Sequence, residues 1–176
     1  MKSCLLIIDV QTALFAESPT PADADVVIER INALAGRARA RGLKVIVVHH
    51  EEPSSELEYN SAGWQTDPRL HVQPGDLHVR KTTVDSFLET TLESILRDAA
   101  IDHLTICGYA TEFCIDTTVR RAASLGYEVT LASDAHTTQD KPDLSAELIR
   151  RHHNRTLANA AFKSPIKVCP SDQLWN

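Results

Sequence analysis

Short apolar runs rich in β-branched residues alternate along this chain with longer segments of helical period. This alternation is typical of repeated strand–helix–strand units, which form a parallel sheet covered by helices on both faces. We therefore predict a three-layer α/β/α fold, with a doubly wound, Rossmann-like, mainly parallel six-stranded sheet in the order 3-2-1-4-5-6. The predicted strands are Cys4–Asp9, Lys44–His49, Leu77–Lys81, His103–Gly108, Glu128–Ser133 and Ile166–Cys169.

The segments between these runs carry the predicted helices. In Ser86–Ala99, for example, Leu88 and Leu92 fall on one apolar stripe. By contrast, Glu51–Pro74 contains three prolines and no sustained period, which is typical of a long loop that forms a lid or rim. The predicted helices are Ala24–Arg41, Ser86–Ala99, one from about Glu112 to Leu125 that stops at Gly126, and one that begins near Asp143.

Length and composition narrow the protein class. A chain of 176 residues with 43% hydrophobic residues fits one globular domain, 1–176. No apolar run approaches the ~20 residues that span a bilayer, and the start shows no signal peptide, so we expect a cytoplasmic protein. A net charge of -6 argues against nucleic acid or an anionic membrane as partner. The four cysteines show no CxxC spacing, and we expect them to be reduced.

Three reactive residues follow or end predicted strands. Asp9 closes the run LLIID, Lys81 closes LHVRK, and Cys114 lies at the start of the third helix. In an open parallel sheet the ligand site lies beyond the carboxyl ends of the strands, so these three side chains are predicted to converge.

The chemistry of the three side chains is complementary. Cys114 lies in the first turn of a helix, where free N–H groups and the helix dipole favour a thiolate. Gly108 permits a tight turn whose amides can face an oxyanion. Asp9 can take the thiol proton and pass it to a leaving amine, and Lys81 can hold both groups ionised. Taken singly, Cys114 is equally compatible with a buried thiol, whereas a carboxylate in the position of Asp9 is more often a cap and a lysine in that of Lys81 is more often a solvated charge.

Three segments resemble a known family: DVQTALF, RKTTVDSF and GYATEFCIDTTVRRAASLGYEV. They are similar to the isochorismatase-like cysteine hydrolases, which include nicotinamidases, N-carbamoylsarcosine amidases, ureidoacrylate amidohydrolases and the isochorismatases. The resemblance covers the whole domain. It implies the isochorismatase-like fold and a catalytic triad of Asp9, Lys81 and Cys114. It also implies a cis peptide between Tyr109 and Ala110, with the amides of Ala110 and Cys114 forming the oxyanion hole.

The stretch after the second strand departs from the nicotinamidases. Those enzymes carry an Asp-x-His motif and a further His that bind a divalent metal. Here the sequence is VVHHEEPSSELEYN, and the adjacent His49 and His50 cannot both face one site along a strand. We therefore expect no metal and no cofactor, and nicotinamide is a less favoured substrate. A set of His49 or His50 with Glu51 or Glu52 stays open as an alternative.

Other residues are candidates for substrate contact. Phe15, Tyr109 and Phe113 flank reactive positions, and Trp64 lies in the long loop. The acidic residues between Glu51 and Glu58 either attract a cationic substrate or form a solvated face, and the sequence does not decide between these.

The sequence thus predicts a hydrolase that cleaves a small linear amide or carbamoyl C–N bond through a thioester acyl-enzyme. Its predicted partner is the small-molecule amide, and its predicted assembly is a homo-oligomer, either a dimer or a tetramer. Two alternatives stay open: a metal-assisted, nicotinamidase-like amidase, and a non-catalytic doubly wound binding domain in which Cys114 is inert. The sequence has neither a GxGxxG motif nor a P-loop, so no motif supports phosphate binding.

Overall fold

The computed structural model describes residues 1–16 and 18–175, and its centre is a six-stranded sheet. The strand order is β3-β2-β1-β4-β5-β6 and every neighbouring pair is parallel, which confirms the predicted order. The strands are β1 (Ser3–Ile8), β2 (Lys44–His50), β3 (Leu77–Lys81), β4 (His103–Tyr109), β5 (Glu128–Thr137) and β6 (Lys167–Cys169). The α-helices are α1 (Thr12–Ala16), α2 (Ala24–Ala40), α3 (Leu92–Asp98), α4 (Asp116–Leu125) and α5 (Ala146–Ala158).

The hydrophobic core lies on both faces of the sheet. On β1, Leu6 and Ile8 belong to a cluster that includes side chains of α3, α4 and α5. Leu5 and Ile7 belong to a second cluster, which includes side chains of α1 and α2. Because successive side chains of a strand point to opposite faces, β1 is buried on both sides and reads as a continuous apolar run. The predicted three-layer architecture is therefore confirmed.

The second predicted helix is shorter than the sequence indicated. Glu89 has a φ of 54°, so the chain makes a separate turn before α3 begins at Leu92. Thr90 stabilises this break: its hydroxyl donates to the Ser86 carbonyl at 2.6 Å and accepts from the Leu92 amide at 3.2 Å. Leu88, predicted on the buried stripe, is consequently 47% exposed.

Other boundaries also moved. The third predicted helix consists of a π-helical turn, Thr111–Ile115, followed by α4, and it stops before Gly126 as predicted. The fourth predicted helix, expected to begin near Asp143, begins at Ala146, because Ser145 caps it by accepting a hydrogen bond from the Leu148 amide. Strand β5 continues to Thr137 past an irregularity in its pairing with β4. The sequence did not predict α1.

All four cysteines are free thiols, in agreement with the prediction. Among the described residues, no helix has both the length and the apolar character needed to cross a membrane.

Candidate active site

Gly108 allows the carboxyl ends of β1 and β4 to approach closely. Its φ is 123°, and a Cβ atom there would clash with the Ile8 carbonyl oxygen. The next residue after Ile8 is Asp9, whose φ of 54° lies in the left-handed region that aspartate tolerates better than most residues. Its amide donates to the Val48 carbonyl at 2.9 Å, which fixes Asp9 at the end of the sheet.

The three predicted reactive residues meet at this edge. Lys81 Nζ lies 2.7 Å from Asp9 Oδ2 and 3.3 Å from Cys114 Sγ. The side chains of Lys81 and Asp9 are 0% and 2% exposed, so this is a buried ion pair. Asp9 Oδ1 is also buried and has no hydrogen-bond partner of good geometry among the described residues. It is therefore available to accept a proton.

The electrostatics of the site differ from the prediction for Cys114. Burial raises the pKa of its thiol to about 12, with a further contribution from the charge of Asp9 that Lys81 opposes. The sequence predicted a thiolate favoured by the helix terminus, but burial and the neighbouring carboxylate outweigh that effect. For Lys81, burial lowers the pKa, but Asp9 and Cys114 outweigh it and the pKa is raised overall. The resting site thus holds a thiol beside an ammonium.

Cys114 lies in a π-helical turn rather than at the start of a regular helix. The Ala110 carbonyl accepts from the amides of Phe113 and Ile115, both at 3.1 Å, and skips the amide of Cys114 between them. The peptide bond between Tyr109 and Ala110 is cis. The turn therefore presents the Cys114 amide and side chain together at the end of β4.

A buried chain of hydrogen bonds supports this turn. Thr111 Oγ1 lies 2.8 Å from His136 Nδ1, and His136 Nε2 lies 2.9 Å from Asn154 Oδ1. Asn154 donates through Nδ2 to the Ser133 carbonyl, so its Oδ1 is the acceptor and His136 carries its proton on Nε2. Burial lowers the pKa of His136 to about 4, and the ring is neutral. These contacts make His136 a structural histidine.

The adjacent histidines at the end of β2 have different surroundings, as their adjacency predicts. His50 Nδ1 lies 3.4 Å from Lys81 Nζ, at the candidate site. His49 is buried: Nε2 lies 2.8 Å from Thr66 Oγ1, and its ring stacks on Trp64.

Of the predicted substrate contacts, Phe15 is placed differently. It is 2% exposed and packs edge-on against Tyr109, with ring centroids 5.5 Å apart. It therefore supports Tyr109 from behind, because its side chain is used in the core. Phe113 is 51% exposed beside Cys114. Trp64 lines a cavity of about 500 Å³ that also reaches Lys81.

The acidic loop does not act as one group. Glu51 is held by Arg80 through two hydrogen bonds of 2.7 and 3.0 Å, whereas Glu52, Glu56 and Glu58 are exposed.

The side chains of the described residues also do not form a metal site. In residues 1–16 and 18–175, no three His, Cys, Asp or Glu side chains are grouped as metal ligands.

Sequence reasoning gave no role to Gln11, although it lies in the DVQTALF segment. Its side-chain amide donates to the carbonyls of His50 and Trp64, both at 2.9 Å, and its carbonyl accepts from the His50 amide at 2.8 Å. Gln11 is completely buried, so it joins the long loop to the end of β2. A polar residue two positions after Asp9 in a resembling motif was the available signal.

Comparisons with known proteins identify relatives of this chain. Streptothricin hydrolase of Streptomyces noursei is 36% identical over 172 residues, which cover 94% of this chain and 61% of that protein. An ureidoacrylate amidohydrolase of Caulobacter vibrioides is 41% identical over 105 residues, which cover 60% of this chain and 46% of that protein. The chain therefore spans less than two thirds of the length of either relative.

One solved structure, described as an isochorismatase family protein, has a TM-score of 0.88 at 32% identity and covers 94% of this chain and 96% of its own. The model of the isochorismatase domain matches residues 3–161. With this match, the confirmed strand order and the shared fold, the chain belongs to the isochorismatase family.

Proposed function

We propose that this protein is a cysteine amidohydrolase that cleaves the C–N bond of a small linear amide or carbamoyl compound through a thioester on Cys114. The observation that carries the proposal is the convergence of Cys114 and Asp9 on one buried ammonium, that of Lys81. The family relation supports it, since one relative is named a hydrolase and another an amidohydrolase.

Acylation begins with transfer of the thiol proton of Cys114 to Asp9. The sulfur then attacks the substrate carbonyl, forming a C–S bond as the carbonyl π electrons move to oxygen. When the tetrahedral intermediate collapses, the C–N bond breaks and Asp9 returns the proton to the departing nitrogen. Lys81 holds Asp9 Oδ2, so Oδ1 is the oxygen that carries the proton.

The oxyanion is proposed to lie against the amides of Ala110 and Cys114. Support comes from the π-helical turn, in which the Ala110 carbonyl bonds to the amides on either side of Cys114 and not to that of Cys114. Backbone donors fixed before the reaction typically supply a large part of the rate enhancement in acyl transfer.

Deacylation uses water and the same carboxylate. Asp9 accepts a proton from water as the hydroxyl adds to the thioester, and the C–S bond breaks to release the acid. The proton then returns to sulfur, which regenerates the thiol. The high pKa of Cys114 favours this last step.

The function is tested by screening small amides, ureas and carbamoyl compounds for release of ammonia or amine. Cys114→Ala should abolish turnover, while the matched variant Cys169→Ala should retain it, because Cys169 lies on the edge strand β6. With a slow substrate, mass spectrometry should find an acyl adduct on the peptide that contains Cys114. Full activity in Cys114→Ala would refute the thioester mechanism.

Two alternatives have less support. A metal-assisted amidase would need a ligand set that the described residues do not bring together. A binding domain with an inert cysteine would not need a buried carboxylate and ammonium beside the thiol, a costly arrangement that is usual in catalytic sites. Elemental analysis and the activity screen distinguish these alternatives from the proposal.

A further inference from the structure

The ammonium of Lys81 has more acceptors than hydrogens. Its Nζ atom is surrounded by Asp9 Oδ2 at 2.7 Å, the Thr83 carbonyl at 3.1 Å, Cys114 Sγ at 3.3 Å and His50 Nδ1 at 3.4 Å. An ammonium group has three hydrogens and no acceptor. Four acceptors therefore share three hydrogens, and the two longest contacts, to Cys114 and His50, compete for one of them.

The contact assigns a tautomer to His50. Since Lys81 can only donate, the contact is a hydrogen bond when Nδ1 is the unprotonated nitrogen, and we assign the neutral tautomer with its proton on Nε2. A neutral thiol sulfur is a weak acceptor, so in the resting site the shared hydrogen favours the imidazole. A thiolate carries charge and accepts much more strongly, so it takes the hydrogen once Cys114 has lost its proton.

The position of His50 is built into the fold. Strand β2 lies between β1 and β3, and His50 is directly opposite Lys81 in the pairing of β2 with β3. Lys81 must extend past the end of β2 to reach Asp9, and this brings its side chain to the imidazole. Gln11 holds the backbone of His50 on both sides, through its amide and its carbonyl.

We propose that His50 is a positioning residue that shares one ammonium hydrogen of Lys81 with Cys114. It holds Lys81 in place while the thiol is protonated and releases that hydrogen to the sulfur when the thiolate forms. This inference extends the proposed function and rests on it for the role of Cys114.

The charged groups around His50 are compatible with a neutral ring. Lys81 faces His50 from β3, and Asp9 faces it from the end of β1. Cys114 lies on the other side of the Lys81 ammonium, and Glu52 lies in the loop that follows His50. Burial lowers the pKa of His50, and the charge of Lys81 lowers it further, against the opposing charges of Asp9 and Glu52 and a hydrogen bond to the Thr83 backbone. The imidazole is therefore an acceptor at neutral pH.

The test measures how fast Cys114 reacts with iodoacetamide between pH 7 and 9, by mass spectrometry of its peptide. Below the thiol pKa this rate follows the fraction of thiolate. In His50→Leu the competing acceptor is gone, so the ammonium hydrogen of Lys81 is donated to the sulfur throughout and stabilises the thiolate. The alkylation rate should then rise about two- to tenfold, which corresponds to the free energy of one hydrogen bond. His50→Asn restores an acceptor and should react at the wild-type rate.

The variants also control for access and folding. Asparagine is no larger than histidine, so a faster rate in His50→Leu but not in His50→Asn cannot come from a wider opening. His78→Leu removes a histidine from the opposite side of β3 and should leave the rate unchanged. Equal rates in His50→Leu and His50→Asn, or a slower rate in His50→Leu alone, would overturn the inference. Alkylation needs no turnover, so these outcomes are independent of whether an amide is cleaved.

Discussion

At the scale of single residues, Gly108 decides whether the site can assemble. Any side chain there meets the Ile8 carbonyl, and its φ of 123° is unfavourable for L-residues. We predict that Gly108→Ala lowers the free energy of unfolding by more than about 2 kcal/mol, because the ends of β1 and β4 must separate. Urea denaturation measures this loss, and the same variant should lose activity.

The matched control is Gly36→Ala in α2. Nothing lies within 4 Å of a Cβ at Gly36, so this helix-favouring change should be neutral or stabilise by up to about 1 kcal/mol. Equal effects of the two substitutions would contradict the close approach at Gly108.

His136 makes stability depend on pH. Its pKa is lowered from 6.5 to about 4 in the folded protein, chiefly by burial, so the unfolded chain binds a proton that the folded chain does not. Its contribution is present above pH 6.5 and is lost as the pH falls towards 4. We predict that His136→Gln reduces the slope of unfolding free energy against pH by up to about 1.4 kcal/mol per pH unit within that window. Urea denaturation between pH 5 and 7 measures both slopes, and identical slopes would show that His136 is not buried neutral.

The sequence predicted the convergence of the candidate residues better than their environment. Asp9, Lys81 and Cys114 meet, as expected, because parallel strands bring their carboxyl ends to one edge. The high pKa of Cys114 was missed, since burial depends on packing that no local pattern reveals. The contact between His50 and Lys81 was missed for the same reason, although the adjacency of His49 and His50 indicated that only one could face the site.

At the scale of elements, strands were easier to predict than helix starts. The apolar runs of β1, β3 and β6 agree with the prediction to within one residue at each end. The start of α3 was wrong by six residues because Thr90 offers the backbone local hydrogen bonds that compete with the helix. The π-helical turn that carries Cys114 was not predicted, because its sequence does not distinguish it from the start of an α-helix.

The start of α5 depends on a side-chain cap. Ser145 Oγ accepts from the Leu148 amide at 3.3 Å and replaces one of the hydrogen bonds that a helix start lacks. We predict that Ser145→Ala lowers the free energy of unfolding by about 1 kcal/mol, whereas Ser145→Asp, which keeps a cap, stays near wild type. Thermal or urea denaturation measures this difference. Turnover should be unchanged in both variants, and a large loss of activity would mean that the helix start has another role.

At the scale of the whole molecule, assembly stays a prediction. Leu144, which precedes α5, and Leu148, in its first turn, are 45% and 42% exposed and line one surface depression. Two neighbouring exposed apolar side chains are compatible with a homo-oligomer, either a dimer or a tetramer. Sedimentation velocity at micromolar concentration measures the mass directly, and a monomer near 19.5 kDa would contradict the expectation.

The fold also contains a buried ion pair, which is costly for stability but is needed for the proposed reaction. Lys81 and Asp9 have side-chain exposures of 0% and 2%, and each would be an uncompensated charge without the other. We predict that Lys81→Met lowers the free energy of unfolding by about 3 to 5 kcal/mol, because it leaves the Asp9 carboxylate buried and unpaired. Asp9→Asn should cost less, since Lys81 keeps the Thr83 carbonyl as an acceptor.

The double variant Asp9→Asn with Lys81→Met separates stability from catalysis. It buries no unpaired charge, so it should be more stable than Lys81→Met alone and the two effects should be far from additive. All three variants should lack amidase activity, because the proton acceptor or its partner is missing. Urea denaturation and the activity screen together measure both properties. Additive losses of stability would mean that the ion pair is not the interaction that holds these two side chains at the edge of the sheet.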